Sequence, residues 1–467
     1  MKKSFGSFLI ALIFFTGCEM KPAQVKPPLE GQGEVFLYLE PFPQEAERLK
    51  FTLGGINALA ADGTETPLAL SFEEFRLEDL KRQRLIASGR LPQGSYAGLS
   101  FAVKRALLKG EEGEGDLIVP KQSTKISFPF TVPREKAVVI SMTFKYSESV
   151  KEGTSFFPSF SLLIPGKPLV TLKAFASNRD SNTVTVFDKR SGRVASVIET
   201  GNGPGGIVLD QRARRAYVAL SEDDSIEVID VERGDTINRM RLNAGDRPPE
   251  LALTPDGSAL ISVNSGSDSV SIINPFTLIE MKRLTVGHRP VSILLDRTGR
   301  KAYVFNSFSN TVSVIDVPNR AVSATLATEV GPLRGQFNRK GDRLYVFFER
   351  SPYLIVYDPV TFSVIKRIFV GSGLSVLKVD TQNDMLYVGR KYDGMIEVYD
   401  PFSLMPMETF SVSGGVDYMT IDNEGNNLCV VIPDKKRLAI VELVSKKTIA
   451  EMDVGDYPYW TAVMGER

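Results

Sequence analysis

Beyond residue 166 the chain sets apolar against polar residues in short bursts, and the bursts recur. In one unit they read SILLD, KAYVFN, TVSVID and AVSATLA, parted by RTGR, SFSN and VPNR. Alternation with period two marks half-buried β-strands, and the Gly, Asn, Pro and Ser between them mark turns. In TVSVID, Val312 and Val314 take one face while the residues between them meet a neighbouring layer or solvent. The 3.6-residue period of paired helices is absent.

The recurrence has a fixed phase. The residue closing the third strand falls at Asp188, Asp230, Asn274, Asp316, Asp358, Asp400 and Glu442, with steps of 42, 44, 42, 42, 42 and 42. A second-strand landmark at Phe175, Tyr217, Ile261, Tyr303, Tyr345, Tyr387 and Cys429 repeats the same steps. A turn position held by Pro204, Pro248, Pro290, Pro332, Leu374, Val416 and Pro458 keeps the same register, with one step of 44 and then steps of 42. Four antiparallel strands per period of this length describe a propeller blade. The first unit lacks its initial strand, and the chain finishes with GDYPYWTAVMG, which matches only a turn and a first strand. Joined, the two ends complete one blade. The pattern therefore predicts an all-β protein with a seven-bladed β-propeller over 166–467, its first blade closed by the C-terminal strand.

Residues 34–165 follow a looser pattern. Runs such as EVFLYLEP, RLKFTLGGINALAADG, TKISFPFTV and AVVISMTF alternate in places, as at Leu49-Phe51-Leu53 and Ile126-Phe128-Phe130. Turn signals at ADG and PQGS separate them, and a β-sandwich is the economical answer. SFEEFRLEDLKRQ, residues 71–83, is the one helix expected. Phe156, Phe157 and Phe160 are read as core or interdomain packing in preference to a carbohydrate platform. The short junction LLIPGKPLV predicts that the two domains touch.

The N-terminus carries an address. Lys2 and Lys3 precede an apolar run, Phe8 to Phe15, too short to span a bilayer, as in a secretory signal peptide. Phe15-Thr16-Gly17-Cys18 resembles a bacterial lipobox, with Phe15 in place of the usual Leu. The resemblance implies a signal peptide over 1–17 and a diacylglycerol-modified Cys18. It also implies membrane attachment through that lipid, and Glu19 in place of Asp favours the outer membrane of a bacterial envelope. Residues 18–33, rich in Pro, read as an extended tether.

Composition narrows the chemistry. Lys plus Arg equals Asp plus Glu at 56 each, so there is no global field to hold nucleic acid, and none is expected as a partner. One histidine, His288, and two cysteines, Cys18 and Cys429, leave little for zinc, copper or haem, so no metal or cofactor is expected. A Ser-His-Asp or Cys-His hydrolase would have to use His288, which lies in a turn signal. Cys429 stands where other units have Tyr, Phe or Ile and reads as a buried thiol. The strand-closing Asp residues read as turn caps bonding following backbone N–H groups, and not as calcium ligands.

The strings AYVALSEDDSIEVID, AYVFNSFSNTVSVID and LYVGRKYDGMIEVYD resemble the YVTN family of β-propeller repeats, from about residue 170 to the end. GEVFLYLEPFP, LKFTLGGINALAADG and LPQGSYAGLSFAVKRALL resemble an uncharacterised family of bacterial lipoprotein domains. The first resemblance implies the fold and leaves function open.

In a propeller, the turn before the first strand and the loop between the second and third open on one face. Here acids such as Asp223, Asp224 and Asp268 crowd the early blades of that face. Bases and aromatics crowd the later ones: Arg289, Arg334, Arg350, Tyr353, Arg390, Lys391, Tyr392, Tyr418, Lys435, Tyr459 and Trp460. This half suits a protein or glycan partner. The leading expectation is a non-enzymatic, lipid-anchored binding or scaffold protein of the cell envelope. Two rivals stay open: a quinoprotein-like oxidoreductase or propeller lyase or lactonase, and an outer-membrane assembly factor. Against the enzyme stands the lack of any carboxylate constellation legible on the inner strands.

Overall fold

The computed structural model describes residues 29–77, 80–111 and 113–466. Seven four-stranded antiparallel sheets follow residue 172. Blade 4 shows the plan: an inner strand Pro290–Leu295, two middle strands Lys301–Asn306 and Thr311–Asp316, and an outer strand Ala321–Ala327. Blade 1 takes its inner strand from the far end of the chain. Pro458–Val463 pairs antiparallel with Lys173–Asn178, so both ends of the repeat region meet in one sheet.

Burial along a blade follows from its neighbours. In Thr311–Asp316, Val312, Ser313, Val314 and Ile315 are all buried. The residues between the two valines are therefore not released to solvent, because another blade covers that face too. The outer strand Ala321–Ala327 is mostly exposed, having no further strand beyond it. Apolar clusters sit between successive blades, for instance Phe305 and Val312 against Val346 and Ile355 between blades 4 and 5. Cys429 is a buried thiol between blades 7 and 1, and burial pushes its pKa up.

Short-range polar bonds fix each blade. Asp188, Asp230, Asp358 and Asp400 each accept two backbone N–H groups from the turn that follows, and Asn274 does the same in blade 3. Inside blades 1, 3 and 4 a buried Asn closing the second strand donates to two hydroxyls of the third. Asn306 Nδ2, for example, bonds Thr311 Oγ1 at 3.1 Å and Ser313 Oγ at 3.0 Å.

The N-terminal region is built on a ten-stranded sheet that curls over its own core, with a two-stranded ribbon, Val150–Lys151 against Ser155–Phe156, beside it. Its first strand, Gln32–Leu39, starts two residues inside the stretch expected as tether. Signal peptide, Cys18 and most of that tether lie outside the described residues. The helix expected over 71–83 is not formed in its described part. Glu74–Arg76 is a strand paired with Lys50–Thr52, and Phe75 stacks on Phe51 with ring centroids 4.8 Å apart. A long-range aromatic pair outweighs the helical pattern of a short segment with little to hold it. Phe156 and Phe160 lie in the core, whereas Phe157 is exposed.

The two regions share a core. Phe36, Tyr38 and Val139 pack with Phe187 and Val194 of blade 1 and Met452 and Val454 of blade 7. Around it, Gln83 Nε2 donates to Glu40 and Gln83 Oε1 accepts the Val194 N–H, both at 2.9 Å, while Arg84 Nε meets Asp453 at 2.7 Å.

Candidate binding site at the channel mouth

The turn landmark that phases the repeat also locates the channel wall. Two residues after it, on the seven inner strands or just before them, stand Gly206, Glu250, Ser292, Arg334, Val376, Tyr418 and Trp460. The last six line a single cavity of about 40 Å³, with Gln336 and Lys378 below them on the same strand faces. Gly206 is the small member of the ring. A Cβ there would come within 3.0 Å of Glu250 Cα, so glycine allows blades 2 and 3 to close up.

At this mouth Arg334 Nη2 lies 3.1 Å from Glu250 Oε2, and Glu250 is buried. The guanidinium also sits over two rings, 4.8 Å from the centroid of Trp460 and 5.3 Å from that of Tyr418. Those rings stack on each other at 3.8 Å across the joint between blades 7 and 1. A planar cation between aromatic faces and a carboxylate keeps its charge at low solvent exposure. Burial works against the Arg334 charge, but Glu250, with Tyr459, Tyr418 and Asp417, more than offsets it. Burial pushes the Glu250 carboxyl above its usual range, with Arg334 pulling the other way, and holds the Tyr418 hydroxyl well above its own.

The structure brings together Arg334, Tyr418 and Trp460, with Tyr459 beside them and Arg179 5.8 Å over the Tyr459 ring. It spreads the other candidates around the rim. Arg289 stacks on exposed Phe308 at 4.5 Å, and Tyr353 meets Phe369 edge-on at 5.6 Å. Arg350, Lys391, Tyr392 and Lys435 are exposed. Arg390 turns inward. It takes the position that Asn178, Asn264 and Asn306 hold in their blades, and bonds Glu397 at 2.8 Å and the Val370 carbonyl at 2.7 Å.

The acids of the early blades have structural work. Asp224 accepts the N–H groups of Gly245 and Arg247, each at 2.7 Å, and so ties blade 2 to the turn entering blade 3. Asp268 accepts the Arg289 N–H at 2.8 Å and pairs with His288 Nδ1 at 2.7 Å. Asn182 and Asn310 make the same kind of clamp to Gly203 and Gly331, both at 2.9 Å. All four stand at one point of the repeat and adopt positive φ, which Asn and Asp tolerate. Glu250 is the residue that sequence reasoning missed, and the turn register plus two would have found it.

Seven sheets around one channel settle the architecture. The chain contains a seven-bladed β-propeller. A family model described as a YNCE-like beta-propeller matches residues 249–400, which run from blade 3 into blade 6. No curated protein matches significantly. Among solved structures the propeller is similar to hydrazine synthase of Kuenenia stuttgartiensis, at TM-score 0.53 and 14% identity over 58% of this chain and 93% of that one. It is also similar to the dihydro-heme d1 dehydrogenase NirN, at TM-score 0.52 and 13% identity over 64% and 77%. A functionally unknown protein from Desulfotomaculum acetoxidans gives TM-score 0.56 at 11% identity, over 63% and 99%. Likeness at these identities concerns the fold alone.

Proposed function

We propose that this chain is a lipid-anchored binding or scaffold protein of the bacterial cell envelope, which presents the loop face of its propeller to a protein or glycan partner. The observation that carries the reading is the rim itself. Exposed Arg350, Lys391, Tyr392 and Lys435 and the Arg289–Phe308 pair surround a channel mouth built from Arg334, Tyr418 and Trp460. Arg, Tyr and Trp are the residue types that anchor interfaces. The cavity beneath, about 40 Å³, is small beside the roughly 300–1,000 Å³ of pockets that enclose a drug-sized ligand, which favours recognition on the face. The hydrogen bonds and ion pairs tying the N-terminal region to the propeller run to blades 1, 2 and 7, and among the described residues none uses these rim side chains.

The test is a comparison of partners captured from membranes by the native protein and by a variant with Arg350, Lys391 and Lys435 changed to Glu. Loss of specific partners supports the reading, and identical partner sets remove it. Arg390 is left intact because its Glu397 bond is internal to blade 6. The anchor has its own test: Cys18→Ser should move the protein from the membrane to the soluble fraction, and unchanged membrane attachment would count against lipidation.

A further inference from the structure

Arg334 carries five N–H donors in a rigid fork. Among the described residues Glu250 is its one carboxylate contact, and that contact is poorly aligned: the buried Glu250 Oε2 makes no hydrogen bond to it or to anything else. The fork is therefore largely unspent. Around it, Tyr418 and Gln336 also line the cavity. Lys378, in the same wall, is occupied by Glu466 at 2.7 Å. Trp460 and Tyr418 hold the guanidinium plane in place, so the donors are fixed before any ligand arrives.

We propose that the channel mouth is a carboxylate-binding site, in which Arg334 anchors an acidic side chain or chain terminus of a partner protein. The inference rests on the partner-binding reading above and names its anchor point. Three features select this ligand. A planar carboxylate matches the planar fork with two parallel N–H···O bonds. The buried Glu250 beside it repels a doubly charged phosphate more than a single carboxylate. The cavity, about 40 Å³, has room for a few groups the size of water, each of which needs roughly 10–15 Å³ of such space. A carboxylate on a slender stem fits that space. A uronic acid bears its carboxylate on a pyranose ring that would have to follow it in.

The protein contains its own reporter. Trp460 is its only tryptophan, and its ring lies under the Arg334 guanidinium. Trp460 fluorescence of the full chain is titrated with sodium formate at ionic strength held constant with chloride. Further titrations use a Glu-containing peptide with an amidated end, a Gly-rich peptide with a free carboxyl end, galacturonate and inorganic phosphate. We expect a saturable change with formate and with at least one peptide, weakened roughly tenfold to a hundredfold by Arg334→Gln, the worth of charge-assisted hydrogen bonds. Glu250→Gln removes the neighbouring charge and should tighten formate binding, which a purely structural role for Arg334 would not produce. Should Arg334→Gln fail to fold, Arg334→Lys, which keeps the charge and loses the fork, must still weaken binding. A formate response equal to that of chloride overturns the proposal. So does a response that survives both Arg334 variants, or tighter binding of galacturonate or phosphate than of formate. Rim variants that lose partners while Trp460 stays silent to carboxylates would sink this inference and leave the partner-binding reading standing.

Discussion

The Lys189 ammonium donates to the Asp422 carboxylate at 2.7 Å across 233 residues of chain. Lys189 lies in the turn after the third strand of blade 1, and Asp422 ends the inner strand of blade 7. The same ammonium reaches Glu424 at 3.0 Å and the Met464 carbonyl, just past the closing strand, at 2.6 Å. One cation thus ties the last blade, the first blade and the strand that joins them. Both partners are nearly inaccessible, at 3% and 2% side-chain exposure.

That burial decides what the contact is worth. Removing one partner of a buried pair leaves a desolvated charge and costs about 3–5 kcal/mol, whereas exposed pairs are worth about 0–1 kcal/mol. Asp422→Ala leaves Lys189 only the largely exposed Glu424 as counter-charge, so it should lower the unfolding free energy by about 3 kcal/mol, the low end of that range, in guanidinium titrations. Glu232→Ala, which breaks the exposed Arg214–Glu232 pair, should leave it within about 1 kcal/mol. Equal effects from the two substitutions would show that Lys189 is not a ring latch.

The Asn locks make a prediction inside a single blade. Asn306 is wholly buried, and both hydrogens of its amide are spent on Thr311 and Ser313. Asn306→Ala leaves those hydroxyls without their donor and should cost about 1–3 kcal/mol. It should appear as a lower urea midpoint with an unchanged slope, and as faster amide exchange in blade 4 than in blade 2, where Leu220 holds the same point of the repeat.

How much could be read in advance depended on the range of the interactions. The blades were legible because each is a local meander whose landmarks recur at a fixed spacing, and Asp188 or Asp358 caps a turn only two or three residues away. The candidate face was legible only in part. Asp224 looks like a loop acid until its partners, Gly245 and Arg247, are known to belong to the next blade. Arg390 looks like a loop base until it is placed in the register of Asn306. Glu250 was hidden for the opposite reason, since an inner-strand carboxylate has no local signature and acquires meaning only from Arg334 across the channel. Residues 74–76 went to a strand because Phe75 stacks on Phe51, which no local pattern encodes.

The turn caps predict the acid limb of stability. Backbone N–H groups of Asn319, Thr361 and Ser403 hold the carboxyls of Asp316, Asp358 and Asp400 below their ordinary value of 3.8. A carboxyl depressed in the folded state adds stability above its unfolded pKa and loses it as pH falls through the folded one. The contribution is thus complete at neutral pH and disappears below about pH 3.8. Asn274 fills the same place in blade 3 with a side chain that cannot titrate. Changing all three Asp residues to Asn should keep the turns and flatten the fall of melting temperature between pH 4 and 2, read by circular dichroism. An acid limb as steep as the native one would assign acid unfolding to other carboxyls.

The closing strand carries the last prediction. Pro458–Val463 is the inner strand of blade 1, and its removal exposes the edge of Lys173–Asn178 along the channel. It buries Trp460, Ala462 and Val463, with Met464 just beyond, in the joints to blades 2 and 7, and the larger of these side chains contribute roughly 1.5–3 kcal/mol each. Met464 also supplies a carbonyl to Lys189, so its loss strips the latch as well as the strand. A chain ending at Asp456 should therefore lose more than the Asp422→Ala variant, because packing, sheet edge and latch go together. In calorimetry its propeller transition should move to much lower temperature and broaden, since a ring without its final strand no longer melts as one unit. A truncated protein that melts like the full chain would mean that blade-to-blade packing alone holds the ring shut.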